Sequence, residues 1–235
     1  MKMTEKLILQ NGTELYTDVS EQPPLASFML AYFAALCGSG KRVLELCSGN
    51  GVVSFWGYDR GFRGDTLLVD RRAEPLELAR MTAEKAGFPV HTLCADLTQY
   101  RPDRPFDAVL CNPPFFDEED VCADEDRRAV RHEDGLSPDD LFRAAAGDVK
   151  ERGHVYLCHT PLRLTDVLTA MRANRIEPKK LRFCRHRADS EPFLVLIDGI
   201  YRGGRGLSVG PDIIVKKADD TYTEEMMDIC ERGYV

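Results

Sequence analysis

The sequence predicts an α/β domain built on a mostly parallel β-sheet with helices on both faces. Apolar runs of strand length alternate with segments of helical spacing from residue 42 to residue 174, the pattern of parallel strands joined by crossover helices. Two further strand-like runs, 180–185 and 193–201, follow with no helix between them and read as a closing antiparallel pair. The run 107–111 ends in Asn112-Pro113-Pro114-Phe115. There two prolines remove backbone donors, fix the backbone and stop the strand. A stiff turn at the carboxyl edge of an open α/β sheet lies where ligands bind.

In order along the chain, residues 7–9, Asn11-Gly12 and residues 13–16 read as a small hairpin with a two-residue turn. Residues 24–37 carry Leu25, Phe28, Met29, Tyr32, Phe33 and Leu36 at helical spacing, with Gly38-Ser39-Gly40 closing the helix. Strands are expected at 42–47, 66–70, 90–94, 107–111 and 154–158, and helices at 52–58, 74–86, 141–149 and 161–174. Gly87 closes the second of these helices, and Trp56 on the first is expected in the core. Residues 1–40 are expected to pack on a domain of residues 41–202, with 203–235 as a docked appendage: Gly-rich, then extended at 213–215, then a short helix from Thr223.

Composition excludes several classes. The 235 residues suit one large domain, with 43% hydrophobic and 30% charged residues. No apolar run approaches the roughly 20 residues of a membrane span, and MKMTEKLILQ lacks a cleavage-site pattern. Of the eight cysteines, Cys47, Cys94, Cys111, Cys158 and Cys184 lie in or beside apolar strands, and no CxxC pair exists. Free thiols in a reducing cytoplasm are therefore expected, without disulfides or a metal centre. A net charge of -8 and a pI near 5.2 disfavour a general nucleic-acid coat.

The chemistry-bearing residues sit at successive strand ends. Glu45-Leu46-Cys47-Ser48-Gly49-Asn50-Gly51 joins the first parallel strand to its helix. Glycines there let the backbone approach a ligand beside a helix N-terminus. Asp70 ends the second strand, where a carboxylate can accept from two ribose hydroxyls. Asp96, at the end of the third, could accept from an adenine 6-amino group while Leu97 packs on the ring. Singly, a GxG is a common turn and a strand-end Asp a common cap. Four strands in succession, each with one such feature, make the joint signal. A pyridine-dinucleotide site lacks its third glycine here, and no GK[ST] phosphate loop is present.

These residues, Glu45–Gly51, Asp70, Asp96 and Asn112–Phe115, resemble the signature set of class I S-adenosylmethionine-dependent methyltransferases. The resemblance implies a Rossmann-like fold with a seven-stranded, mostly parallel sheet containing one antiparallel strand. It implies S-adenosyl-L-methionine as cofactor, held by Glu45, Cys47, Gly49, Gly51, Asp70, Arg71, Asp96, Leu97 and Asn112. Asn-Pro-Pro-Phe resembles the subset that methylates planar nitrogens. Over nearly its full length the chain is similar to bacterial tRNA1(Val) (adenine-37-N6)-methyltransferases, through Tyr16-Thr17-Asp18, Arg131-His132-Glu133, residues 175–183 with Glu191-Pro192, and residues 222–226.

That similarity implies a cytoplasmic, monomeric, metal-free enzyme acting on tRNA. Asn112 and the Pro113 carbonyl would accept from the target amine and Phe115 would stack on the base. Cys47 stands where the family usually has glycine. With a negative φ the turn would survive and binding would be retained. Asp18 reads equally as a site residue or a cap.

The loop 116–137 is acidic first and then basic, and Phe116, Arg131 and His132 are its candidate substrate contacts. The densest basic stretch holds Lys179, Lys180, Arg182, Arg185, His186 and Arg187. With Leu181 and Phe183 facing inward, Lys180 and Arg182 would face outward as candidates for tRNA phosphate. The other enzymatic readings are guanine-N2 methylation of ribosomal RNA and methylation of a protein glutamine. The non-enzymatic one is a cofactor-dependent RNA-binding module.

Overall fold

The computed structural model of the chain describes residues 4–19, 24–113 and 136–230. The chain opens with a hairpin of β1 (Thr4–Ile8) and β2 (Glu14–Asp18), followed by α1 (Leu25–Ala34). Then come β3 (Ser39–Leu46), α2 (Val52–Asp59), β4 (Arg63–Asp70), α3 (Ala73–Ala86), β5 (Val90–Cys94) and β6 (Phe106–Cys111). After residue 135 the order is α4 (Pro138–Asp148), β7 (Val149–His159), a 3-10 turn (Pro161–Arg163), α5 (Leu164–Ala173), β8 (Ile176–Arg185) and β9 (Pro192–Tyr201). The last part holds β10 (Ser208–Val209), β11 (Ile213–Ile214) and α6 (Glu224–Ile229).

Nine strands form one sheet in the order β10-β8-β9-β7-β6-β3-β4-β5, with β11 also on β8. The strands β3 to β9 are the expected seven, and β9 is antiparallel to both its neighbours while the other pairings are parallel. The two-residue strands β10 and β11 extend this sheet in parallel along β8. Both faces are covered, so the central strands read as apolar runs rather than alternations. One face packs Phe28, Leu30, Phe55, Trp56, Leu76, Ala79 and Met226 from α1, α2, α3 and α6. The other packs Leu141, Phe142, Ala145, Val167 and Met171 from α4 and α5. Trp56 is in the core as expected, its indole donating to the Ile229 carbonyl at 3.1 Å. Among the described residues no helix is long and apolar enough to cross a membrane.

Local chemistry sets the ends of the elements. Ser137 caps α4 by accepting from the Asp140 amide at 3.1 Å, with proline in the first turn. Thr223 caps α6 through the Met226 amide at 3.2 Å. Gly87, with φ +69°, closes α3.

Three expectations change. The hairpin turn is longer than two residues, because Leu9 and Thr13 still pair across it and Gly12 takes φ +98°. The first helix stops at Ala34, where Ala35 adopts φ +47° and turns the chain before the glycines are reached. The fifth parallel strand starts at Val149 and the closing pair at Ile176, earlier than the apolar patterning implied.

The hairpin is pinned to the sheet-covering helices by side chains. Asp59 accepts from the amides of Asn11 and Thr13 at 2.9 and 3.1 Å, and Thr82 accepts from the Tyr16 amide at 3.0 Å. Strand order reverses between β3 and β6, which pair in parallel with Leu46 opposite Cys111. A crevice opens at such a reversal, outside the carboxyl ends of the two strands. The loop after Leu46 and the residue after Cys111 therefore face each other across it.

Candidate active site

The loop from Cys47 to Gly51 turns sharply from β3 into α2, and three of its residues carry positive φ: Cys47 (+53°), Gly49 (+53°) and Gly51 (+80°). The expectation of a negative φ at Cys47 is overturned. The side chain is held in the left-handed region, at a cost of about 1–2 kcal/mol for a residue with a Cβ. Gly51 is glycine because of packing. A Cβ there would lie 2.6 Å from Leu68 Cδ1 and 2.9 Å from Phe55, and its N–H is spent on the Ser48 carbonyl at 2.8 Å. Gly49 differs: a Cβ there would meet nothing within 4 Å, so this residue borders open space.

Two carboxylates organise the loop. Glu45 is 2% exposed, and its Oε2 accepts from the Ser54 amide and hydroxyl at 2.9 and 2.5 Å. It holds the first turn of α2 in place, and burial pushes its carboxyl up to about 7 against the pull of those bonds. Asp70, at the end of β4, accepts from the Gly49 amide at 2.8 Å through Oδ2 and from the Arg72 amide at 2.9 Å through Oδ1. A carboxylate has about four acceptor positions, so each oxygen retains one for a ligand. Asn50 fastens the loop to the hairpin, donating to the Tyr16 carbonyl at 3.0 Å.

Beyond Asp70, Arg71 is exposed, and its charge helps to hold the Asp96 carboxyl below the usual range. The larger cause is Thr98, whose hydroxyl and amide both donate to Asp96 Oδ1 at 2.7 and 2.8 Å. Asp96 is exposed with Oδ2 outside these bonds, a firmly ionised acceptor. Leu97 is buried with Leu44, Leu46 and Val69. Its side chain faces the sheet, because the chain turns at Asp96.

Asn112 follows β6 directly and stands half-buried across the crevice from this loop, with Pro113 buried behind it. Its amide is held at both ends. Nδ2 donates to Ser27 Oγ of α1 at 2.9 Å, and Oδ1 accepts from Cys158 Sγ of β7 at 3.0 Å. Sequence reasoning missed Ser27 and Cys158, which lie 85 and 46 residues away. Only the strand order, which sets Cys158 beside Asn112, could have signalled the second. Phe115, Phe116, Arg131 and His132 lie outside the described residues.

The basic stretch on β8 is the largest correction. Arg182 is 9% exposed, its guanidinium paired with Glu225 at 2.8 and 3.0 Å and its Nε donating to the Pro211 carbonyl at 2.8 Å. Arg185 pairs with Asp212 at 2.5 Å, and Arg187 with Asp220. Lys179 donates to the Gly204 carbonyl at 3.0 Å. The alternation that placed Arg182 outward holds, but the appendage covers that face and supplies the carboxylates. Lys180 alone of the two candidates is exposed, its Nζ 5.5 Å over the Phe33 ring.

The loop residues fit the cofactor implied by the sequence. Ser48 Oγ is buried without a hydrogen-bond partner among the described residues, Gly49 borders open space, and Asp70 and Asp96 retain acceptor capacity. An orphaned hydroxyl, an open backbone and two anionic acceptors suit a ligand rich in hydroxyl and amino donors.

Residues 25–133 match the family described as Methyltransferase small domain. The tRNA1(Val) (adenine(37)-N6)-methyltransferase of Aeromonas hydrophila is 27% identical over 207 residues, 84% of either chain. That of Aliivibrio salmonicida is 24% identical over 115 residues, 48% of this chain and 49% of that one, so the chain spans about half the length of this relative. Among solved structures, one described as a predicted O-methyltransferase from Agrobacterium tumefaciens superposes with a TM-score of 0.69 at 20% identity, covering 87% of this chain and 94% of that one. This last likeness shows the fold. The family match and the relatives support a class I S-adenosylmethionine-dependent methyltransferase with S-adenosyl-L-methionine as its cofactor.

Proposed function

We propose that this class I methyltransferase transfers its methyl group to the exocyclic N6 of an adenine in tRNA. The position is adenine 37 of tRNA1(Val), as named for its relatives, which the resemblance in sequence puts in the anticodon loop. The observation that carries the reading is Asn112: a side-chain amide at the carboxyl end of β6, directly across the crevice from the cofactor loop. An amide there serves an acceptor atom that bears N–H groups.

Bound S-adenosyl-L-methionine supplies an electrophilic methyl carbon. This chain's residues position and desolvate. Asp70 holds ribose hydroxyls, the Cys47–Gly51 loop accommodates the backbone of the ligand, and Asp96 accepts from its adenine amine. Asn112 Oδ1 and the Pro113 carbonyl accept the two hydrogens of the target amine, which turns the nitrogen lone pair out of conjugation and towards the methyl. As the N–C bond forms and the methyl C–S bond breaks, leaving the thioether S-adenosyl-L-homocysteine, the nitrogen gains positive charge, which those two carbonyls stabilise before the proton passes to water. Phe115 stacks on the flipped base, a contact worth about 1–3 kcal/mol. An anticodon-loop base is already partly unpaired, which lowers the cost of extruding it. Residues 41–202 form the catalytic unit in this reading, with 1–40 and 203–235 packed on it.

Total tRNA, ribosomal RNA and release factor, each incubated separately with the protein and labelled S-adenosyl-L-methionine, digested and analysed by nucleoside or peptide mass spectrometry, test the proposal. Label in N6-methyladenosine is the expected result. Label in N2-methylguanosine of ribosomal RNA or in a release-factor glutamine refutes the substrate. Cofactor binding without transfer to any of the three marks a binding module instead.

A further inference from the structure

Asn112 can act only if its amide faces one way, since a flip exchanges carbonyl oxygen for NH2 at the same place. Nothing on β6 itself decides that orientation. The two contacts that do come from elsewhere in the fold. Ser27 lies in the first turn of α1 and is 6% exposed, and Cys158 lies near the end of β7 and is fully buried. Their bonds to Nδ2 and Oδ1, at 2.9 and 3.0 Å, grip opposite ends of one amide.

We propose that Ser27 and Cys158 are positioning residues that lock the Asn112 amide in a single flip. The free lone pair of Oδ1 is thereby held in place to accept from a nitrogen nucleophile. The proposal rests on the methyl-acceptor reading above.

The chemistry of the two partners makes the lock asymmetric. Burial pushes the Cys158 thiol well above its ordinary range, so it stays protonated and can donate, which favours the carbonyl end of the amide at the 3.0 Å contact. The Ser27 hydroxyl oxygen then accepts from the other end. In the reversed flip the Ser27 hydroxyl would donate to the carbonyl and the NH2 group would be left facing the thiol sulfur, a poor acceptor, so the contact at Cys158 would weaken. A locked carbonyl favours acceptors that carry N–H over acceptors that must be deprotonated to react.

The test compares wild type with Cys158→Ala, Cys158→Ser and Ser27→Ala in two assays. In the first, cofactor affinity is measured by calorimetry and methyl transfer to tRNA by label incorporation. Cys158→Ala and Ser27→Ala are expected to bind the cofactor like wild type and to keep KM. Their kcat falls by about tenfold to a hundredfold, as expected for a misplaced acceptor group. Cys158→Ser keeps the donor and restores most of the rate. Equal kcat in all four proteins, or an equal loss in Cys158→Ser and Cys158→Ala, overturns the inference.

In the second assay, the Asn112 side-chain NH2 signals are assigned by their absence in Asn112→Ala, and their solvent exchange is followed by NMR without substrate. Slow exchange in wild type and Cys158→Ser, rising in Ser27→Ala and Cys158→Ala, supports the lock. Fast exchange in wild type overturns it. A wild type that transfers nothing to tRNA while showing the protected signals refutes the substrate and leaves the lock supported.

Discussion

Asp148 offers a prediction whose sign follows from one buried group. It is the last residue of α4 and fully buried, and neither carboxyl oxygen has a hydrogen-bond partner among the described residues. The negative end of the helix lies at the same place, which further disfavours ionisation. Burial pushes the carboxyl from 3.8 up to about 7, and the charge of Arg101 opposes this only in part.

The folded protein therefore holds a proton here between about pH 4 and pH 7 that the unfolded chain has released. Stability falls as pH rises through that window, and the loss is complete above the folded value. At 1.36 kcal/mol per pKa unit, the full effect is about 4 kcal/mol and the part between pH 5 and pH 8 about 3 kcal/mol.

In Asp148→Asn the amide does not titrate, so this slope vanishes, and a fixed cost of about 1–3 kcal/mol remains for an unpaired donor. Urea unfolding of both proteins at intervals from pH 5 to pH 8 reads the difference, in which every other titrating group cancels, Glu45 included. The variant should gain about 3 kcal/mol on wild type across that range. A difference that stays flat within about 0.5 kcal/mol refutes the reasoning.

Three further outcomes follow from the site and its surroundings. Gly51→Ala should destabilise by at least about 2 kcal/mol, because the new Cβ meets Leu68 and Phe55 at 2.6 and 2.9 Å on a residue with φ +80°. Thermal unfolding measures it, and an unchanged midpoint would disprove the packing role. Cys47→Gly relieves the left-handed strain of about 1–2 kcal/mol but adds unfolded-state entropy, for a net gain of about 0.5–1 kcal/mol with cofactor affinity retained. Chemical denaturation with calorimetry would show the opposite sign if the thiol is needed. Glu225→Gln strips the charge partner from the buried Arg182 and should cost about 2–3 kcal/mol. It should also speed tryptic cleavage after Arg205, and unchanged cleavage would detach the appendage from this pair.

What could be read from the chain itself was periodic and local. The alternation of strands and helices, Gly87 closing α3, Thr223 opening α6 and the succession of features at strand ends follow from spacing and residue type. Those are preferences that neighbours along the chain largely satisfy. Hence the loop 47–51, Asp70, Asp96 and Asn112 were expected at the carboxyl ends of successive strands, and there they stand. The fate of their side chains depended on partners distant in sequence.

The alternation rule put Arg182 on the correct face of β8. Whether that face met water or carboxylates depended on where a tail some 40 residues later docked, with Glu225 43 residues away. Leu97 sits beside an exposed Asp96 yet turns into the core, because the sheet lies on its side of the turn. Cys47 was judged by its size, while its φ of +53° was imposed by the turn between Leu46 and Gly49. Asn112 was legible as a site residue from its prolines and strand. The direction of its amide was not, because α1 and β7 decide it from 85 and 46 residues away. A sequence records which groups are present at the sheet edge. Only packing decides which of them are spent on each other, because hydrogen bonds and ion pairs form between neighbours in space.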